Sequence, residues 1–189
     1  MSKFATHYVS IMIETLISNK TRIKLLLKFF LNSNTTSYLR GLESEFGDSS
    51  NAIRLELNRL EKADMLESSL QGNKKFFKAN TSHPLFKDIH NLILKHVGID
   101  KVIETVIERL GDLEEVYLTG SFAKGMDSQI IDLIFVGAVE KNYLVQLVEK
   151  VEDLIQRKIR YLIYEKDEVN NVTWEQFSTA PLLIWSKEE

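Results

Sequence analysis

The stretch Ser49–Ala79, SSNAIRLELNRLEKADMLESSLQGNKKFFKA, passes from a helical period to an alternating one, and that passage decides the fold around it. Ser49, or Asp48 before it, caps a helix that runs to about Ala63. At 100° per residue Ile53, Leu57 and Leu60 share one narrow sector and face a core. Asn51, Arg54, Leu55, Asn58 and Lys62 fall on the other side, amides and cations outward. Leu66–Leu70 then reads as a strand, Gln71-Gly72-Asn73-Lys74 as a turn and Lys75–Ala79 as a returning strand. Phe76 is expected to cover the core, while Lys74, Lys75 and Lys78 gather positive charge at the tip and return strand.

Upstream, Ile23, Leu26, Leu27 and Phe30 recur at helical spacing between Thr21 and Leu31. Asn32–Thr36 is a polar break, and Ser37 is placed to cap a second helix. That helix carries Leu39, Leu42 and Phe46 on one face and ends at Gly47. Only a few residues then separate it from the third, the connection length of a helix-turn-helix. Such a third helix can enter a major groove, where Asn pairs with adenine, Arg with guanine, and Leu55 meets a thymine methyl. Three helices followed by a basic hairpin is the order of a winged helix. Asn58-Arg59-Leu60-Glu61-Lys62-Ala63-Asp64-Met65-Leu66 also resembles the end of the recognition helix in ArsR/MarR-type winged-helix regulators. Many of those carry Gly where Asp64 stands, and Asp accepts that turn. The resemblance implies a duplex DNA partner. Ser49, Asn51, Arg54 and Asn58 would face it from the helix, and Lys74 and Lys75 would touch its phosphates from the wing.

Downstream, Ser82-His83-Pro84 is expected to start a connector helix with the stripe Leu85, Ile89, Leu92 and Ile93, stopped by Gly98. Asp100 is expected to cap the next helix, lined by Ile103, Val106, Ile107 and Leu110. His83, His90 and His96 do not share one helix face and no Cys assists them, so no metal site is expected there. Val116–Leu118 enters Thr119-Gly120-Ser121-Phe122-Ala123-Lys124-Gly125 as a strand, and Ile130–Val136 is a second. Tyr143–Ile155 is helical, Arg160–Tyr164 a third strand, Trp174–Phe177 a short helix and Leu182–Trp185 a final apolar segment. Alternating strands and helices imply a small mixed sheet with helices on it.

A Gly-Ser after a strand, with an Asp on the next strand, resembles the nucleotidyltransferase superfamily. In that family Gly-Ser opens a helix whose amides grip nucleotide phosphates, and an Asp-x-Asp pair on one strand face holds divalent metal. Gly120 and Ser121 match, Lys124 lies in the matching basic stretch, and Asp132 matches the second Asp. Ile130 stands at the first Asp position, on the same strand face as Asp132. The third acid's strand, Arg160–Tyr164, has none; Asp127 could swing in from the loop, though nothing in its spacing argues that it does. The resemblance therefore implies a vestigial nucleotide site of Gly120, Ser121, Lys124 and Asp132, with no metal, no cofactor and no catalytic residue. The whole order also resembles winged helices fused to a minimal nucleotidyltransferase domain, including a His83-Pro84-Leu85-Phe86 connector.

Composition agrees with a globular chain. Of 189 residues, 44% are apolar and 27% charged, which excludes disordered and fibrous classes. Zero Cys excludes disulfide scaffolds, thiolate metal sites and cysteine nucleophiles. No apolar run reaches the ~18 residues of a membrane span, and no signal-peptide order opens the chain, so a cytoplasmic location is expected. Residues 1–80 hold 12 Lys/Arg against 8 Asp/Glu, whereas 81–189 hold 12 against 19, so a polyanion partner would meet the first part. The expected fold is α+β: a winged helix-turn-helix over 1–82, a connector helix over 83–99 and a nucleotidyltransferase-like mixed sheet over 100–189. The expected function is a DNA-binding regulator, dimeric through the Ile11–Ile17 stretch or the connector, with a catalytically degenerate second domain and at most weak nucleotide binding. An active metal-dependent transferase with a winged-helix substrate adaptor is the alternative, and a protein-interaction module a third reading.

Overall fold

Asn19 opens the first helix, its side-chain oxygen accepting from the Arg22 amide at 3.1 Å. The computed structural model describes residues 15, 17–169, 174, 177 and 179–187. They form two compact units, one up to Ile93 and one from Leu94 onward. Five of the seven residues of the Ile11–Ile17 stretch and two of the four of Trp174–Phe177 lie outside the described residues.

In the first unit, α1 (Lys20–Leu26) continues into a π-helical turn, Leu27–Leu31, whose residues are all buried. The expected helix is present, but the wider turn rotates Phe29 as well as Phe30 into the core. Ser37 does not cap a helix. It lies in a short strand, β1 (Thr36–Tyr38), and α2 (Leu39–Phe46) follows directly with no side-chain cap. Pairing of Ser37 with Phe77 across β1 and β3 satisfies the backbone instead. α3 (Ser50–Lys62) starts at Ser49, whose hydroxyl accepts from the Ala52 amide at 3.3 Å. Ile53, Leu57 and Leu60 are buried as the period requires, each worth about 1.5–3 kcal/mol of apolar burial. Glu56 is buried beside them, which hydrophobic spacing could not foretell.

The hairpin β2 (Leu66–Gln71) and β3 (Lys74–Ala79) pairs antiparallel, and β3 is the middle strand of the sheet β1-β3-β2. Phe77, not Phe76, covers the core, because Leu66 and Ala79 set the inward side at the base of the hairpin. Phe76 lies against Tyr38 instead, ring centroids 5.2 Å apart. α4 (Phe86–Val97) begins two residues after Pro84. The His83 ring Nδ1 accepts from the Leu85 amide, and the His83 carbonyl from Phe86, closing a turn that leaves Leu85 exposed rather than in the apolar stripe.

In the second unit α5 (Ile99–Val102), a π-helical turn (Ile103–Ile107) and α6 (Glu108–Leu110) run on from one another. Gly98, at φ 88°, holds the cap position expected of Asp100, and a Cβ there would meet Ile155 at 2.8 Å. A four-stranded mixed sheet follows in the order β6-β5-β4-β7. Its strands are β4 (Leu113–Thr119), β5 (Ile130–Gly137), β6 (Lys158–Tyr164) and β7 (Leu182–Ser186). β5 pairs antiparallel with β4 and parallel with β6. The crossover from β5 to β6 is α8 (Lys141–Ile155), after the one-turn α7 (Gly120–Ala123) between β4 and β5. α9 (Lys166–Val169) follows β6. The whole is α+β with two sheets, and no helix among the described residues is long and apolar enough to cross a membrane.

Candidate functional site

Two places gather polar chemistry, one in each unit. In the first, α3, β1, the start of α2 and the hairpin enclose a cleft of about 430 Å³. Leu57 and Phe77 form its buried floor, and Arg40, Arg54, Lys74 and Lys75 stand around it with Asn58 and Asn73. No carboxylate is among its lining residues. Lys75 is neutralised outside the cleft by Glu61 at 2.7 Å, a pair that holds the Glu61 carboxyl below its usual range. Lys74 is placed otherwise, its ammonium 4.5 Å from the centroid of the Tyr38 ring. Arg40 and Arg54 are exposed.

Buried ionic contacts fix the helix that carries Arg54. Glu56 accepts from Asn19 at 3.0 Å and Arg22 Nε at 2.6 Å, and from Arg59 one turn on. Burial works to raise its pKa, and the two guanidiniums overcome that and leave it lowered. Asp48, just ahead of α3, accepts from Lys24 at 2.7 Å and Thr21 at 2.8 Å. The Lys24 hydrogen bond is the largest cause of its lowered pKa. α1 thus holds the α2–α3 connection at Asp48 and the middle of α3 at Glu56.

The second place is one face of the four-stranded sheet. Pairing sets Thr119 beside Asp132, and Asp132 beside Arg160 on the parallel neighbour. Arg160 Nε lies 2.6 Å from Asp132 Oδ1, and the carboxylate is 19% exposed. Ile130 stands two residues before Asp132 on the same face. The other carboxylate oxygen, Oδ2, leans over Gly120, where a Cβ would come within 2.3 Å of it; at φ 65° only glycine fits comfortably. Ser121 and Lys124 follow in α7 and at its cap. Asp127 is engaged elsewhere, its Oδ1 2.7 Å from Arg157, whose guanidinium also lies over the Phe122 ring at 5.3 Å. Tyr117, next on this face, donates to Glu115 at 2.7 Å; its pKa is pushed up to about 12, by burial first and by that carboxylate second.

Arg54, Asn58, Lys74 and Lys75 come together at the cleft, whereas Ser49 serves as the helix cap and Asn51 lies exposed in the first turn of α3. Gly120 and Asp132 touch, with Ser121 and Lys124 adjoining. Sequence reasoning missed Arg40 and Tyr38, which needed the β1 pairing to be seen, and missed Arg160 as the partner of Asp132. The signal for Arg160 was an alternation, since residues 158, 160 and 162 share a strand face. Among the described residues no three His, Asp or Glu side chains group as metal ligands. His90 Nδ1 instead lies 2.6 Å from the Phe30 carbonyl.

No protein-family model matches the chain, and no curated protein matches it. Among solved structures, one described as a "putative nucleotidyltransferase from Sulfolobus solfataricus" aligns at 26% identity over 49% of this chain and 80% of its own, with a TM-score of 0.33.

Proposed function

We propose that the chain is a DNA-binding regulator whose first unit is a winged helix and whose second is a nucleotidyltransferase-like domain without transferase chemistry. One observation carries the DNA reading: in a chain of net charge −3, Arg40, Arg54 and Lys74 line a cleft with no carboxylate in its wall. That cleft joins the outward face of α3 to the hairpin, the two surfaces by which such a domain reads bases and grips phosphate. Residues 1–82 form the DNA-binding domain on this reading, 83–99 the connector and 100–189 the second domain, in a cytoplasmic homodimer. Fluorescence anisotropy with a labelled duplex library tests it. Sequence-selective binding that weakens in Arg54→Ala is expected, and affinity no better than for a polyanion control at every salt concentration would sink it.

The second domain is read as catalytically silent from the Asp132–Arg160 pair. A transferase needs carboxylates around a divalent ion that neutralises a triphosphate. Here one acid position holds Ile130, and a guanidinium occupies the neighbouring strand where another acid would stand. Gly120, Ser121 and Lys124 offer a phosphate at most a weak contact, because the Asp132 carboxylate already leans over Gly120. The domain then serves sensing, dimerisation or partner binding. Incorporation of labelled nucleotide with Mg²⁺ or Mn²⁺, lost in Asp132→Ala, would instead favour an active transferase.

A further inference from the structure

We infer that the cleft between α3 and the hairpin is a binding site for a single nucleoside phosphate. Its size, about 430 Å³, lies within the ~300–1,000 Å³ of small-molecule sites, and a floor of Leu57 and Phe77 beneath a polar rim is their usual composition. The rim asks for an oxygen-rich polyanion. Arg40, Arg54 and Lys74 hold three positive charges around one concavity, and a guanidinium fork matches phosphate oxygens two at a time. A carboxylate, with one charge, would leave two of the three uncompensated. The body of the ligand follows from the remaining lining. Asn58 and Asn73 each offer an amide donor and an acceptor beside the apolar floor, the combination that a flat base with a polar edge satisfies. Lys74 is held in place by the Tyr38 ring, so less side-chain freedom is lost when a phosphate arrives.

The site is read from the cleft itself. Only its consequence, competition between ligand and duplex for Arg54, Asn58 and Lys74, rests on the DNA-binding reading above. Such a ligand would be an antagonist of the regulator. The same chemistry can come from a free mononucleotide or from one nucleotide of a single strand, and the experiment separates them.

The full-length protein is titrated calorimetrically with AMP, GMP, CMP and UMP, and with a 5′-phosphorylated trinucleotide. Ribose 5-phosphate and inorganic phosphate serve as ligands without a base. Binding of a mononucleotide, or of the trinucleotide alone, that falls at least about tenfold in Arg40→Gln and in Arg54→Gln is expected. Both side chains are exposed, so thermal melts of these variants should match the parent. Asn58→Ala should narrow the difference between nucleotides, which a bare anion site would not do. Ribose 5-phosphate binding as tightly as the nucleotides overturns the inference, since the base then contributes nothing. Loss in Lys124→Ala, with Arg40→Gln and Arg54→Gln unchanged, overturns it by moving the ligand to the second unit. If no nucleotide binds while duplex DNA does, the inference fails and the DNA-binding reading stands.

Discussion

At Asp132 and Arg160 a carboxylate and a guanidinium face each other across two parallel strands, and beside them Ile130 presents hydrocarbon to the same surface. A divalent cation placed there would compete with a guanidinium for one carboxylate, and neither strand neighbour of Asp132, Thr119 or Arg160, adds a second carboxylate. Wild-type protein is therefore expected to leave the Mn²⁺ resonance spectrum unchanged. The double variant Ile130→Asp, Arg160→Asp sets two new acids beside Asp132 and should bind Mn²⁺ at least about tenfold more tightly, because affinity for hard cations follows ligand charge and number. Equal Mn²⁺ binding by the two proteins would show that the pair does not exclude metal. Glu56 gives the residue scale a second test. Its folded pKa lies below the 4.5 of an unperturbed Glu, so its stabilisation is in place above that value and is lost as pH falls through the folded pKa. Glu56→Gln should cost about 1.5–3 kcal/mol near neutrality, tending to the lower figure because Arg22 and Arg59 can turn to solvent. Urea melts should also show a shallower acid decline in the variant, with Asp48, Glu61 and Glu152, whose pKa values are lowered too, keeping the remainder. An unchanged acid limb would mean that Glu56 is not held by its guanidiniums.

Helix α3 is set by its ends as much as by its buried face. Ser49→Ala removes the cap hydrogen bond and should destabilise the first unit by about 1 kcal/mol in denaturant melts. Beyond the other end Asp64 takes φ 59°, and Asn80 bonds its carbonyl at 2.9 Å. Relief of the left-handed backbone by glycine is worth ~1–2 kcal/mol, against ~0.5–1 kcal/mol for the freer unfolded chain, so Asp64→Gly should be stabilising by less than about 1.5 kcal/mol. Destabilisation would assign the side chain a contact of its own. This helix was legible because period, cap and turn agree locally. The register of the second sheet was not. Strand and helix positions there follow from short apolar runs and from helical spacing, but that Asp132 meets Arg160 depends on a parallel crossover through α8, which no local pattern encodes. The π-helical turns at 27–31 and 103–107 stayed hidden for another reason. Around the first, the apolar run Leu25-Leu26-Leu27 satisfies α and π periods alike, and in the second Ile103, Val106 and Ile107 keep the i, i+3, i+4 spacing of an ordinary α-helix. β1 was hidden by its shortness, since three residues carry too little alternation to stand out from a polar break.

Over the whole chain the net charge is −3, so nucleic-acid binding, if driven by charge at all, must come from a local surface whose strength is read from salt dependence. Each phosphate neutralised lowers the slope of log K against log salt by about 0.9 on duplex DNA. Arg40 and Lys74 supply two such cations per chain, Arg54 being the one assigned to a base edge, whereas Lys75 is already neutralised by Glu61. A single bound chain should then give a slope of roughly −2, and a dimer on two half-sites roughly twice that. Lys74→Ala should reduce the slope by about 1 per bound chain and weaken all sequences alike. Lys75→Ala should change it less, because neutralising Lys75 releases few counterions that Glu61 had not already displaced. Arg54→Ala should differ from both, costing ~1–3 kcal/mol at the preferred site while leaving other sequences nearly unaffected. Anisotropy titrations from low to physiological salt, with light scattering to count chains per duplex, separate these outcomes. Equal slopes for Lys74→Ala and Lys75→Ala would mean that the Glu61 pair opens on binding. A slope near zero would mean that the cleft's cations do not meet the DNA backbone.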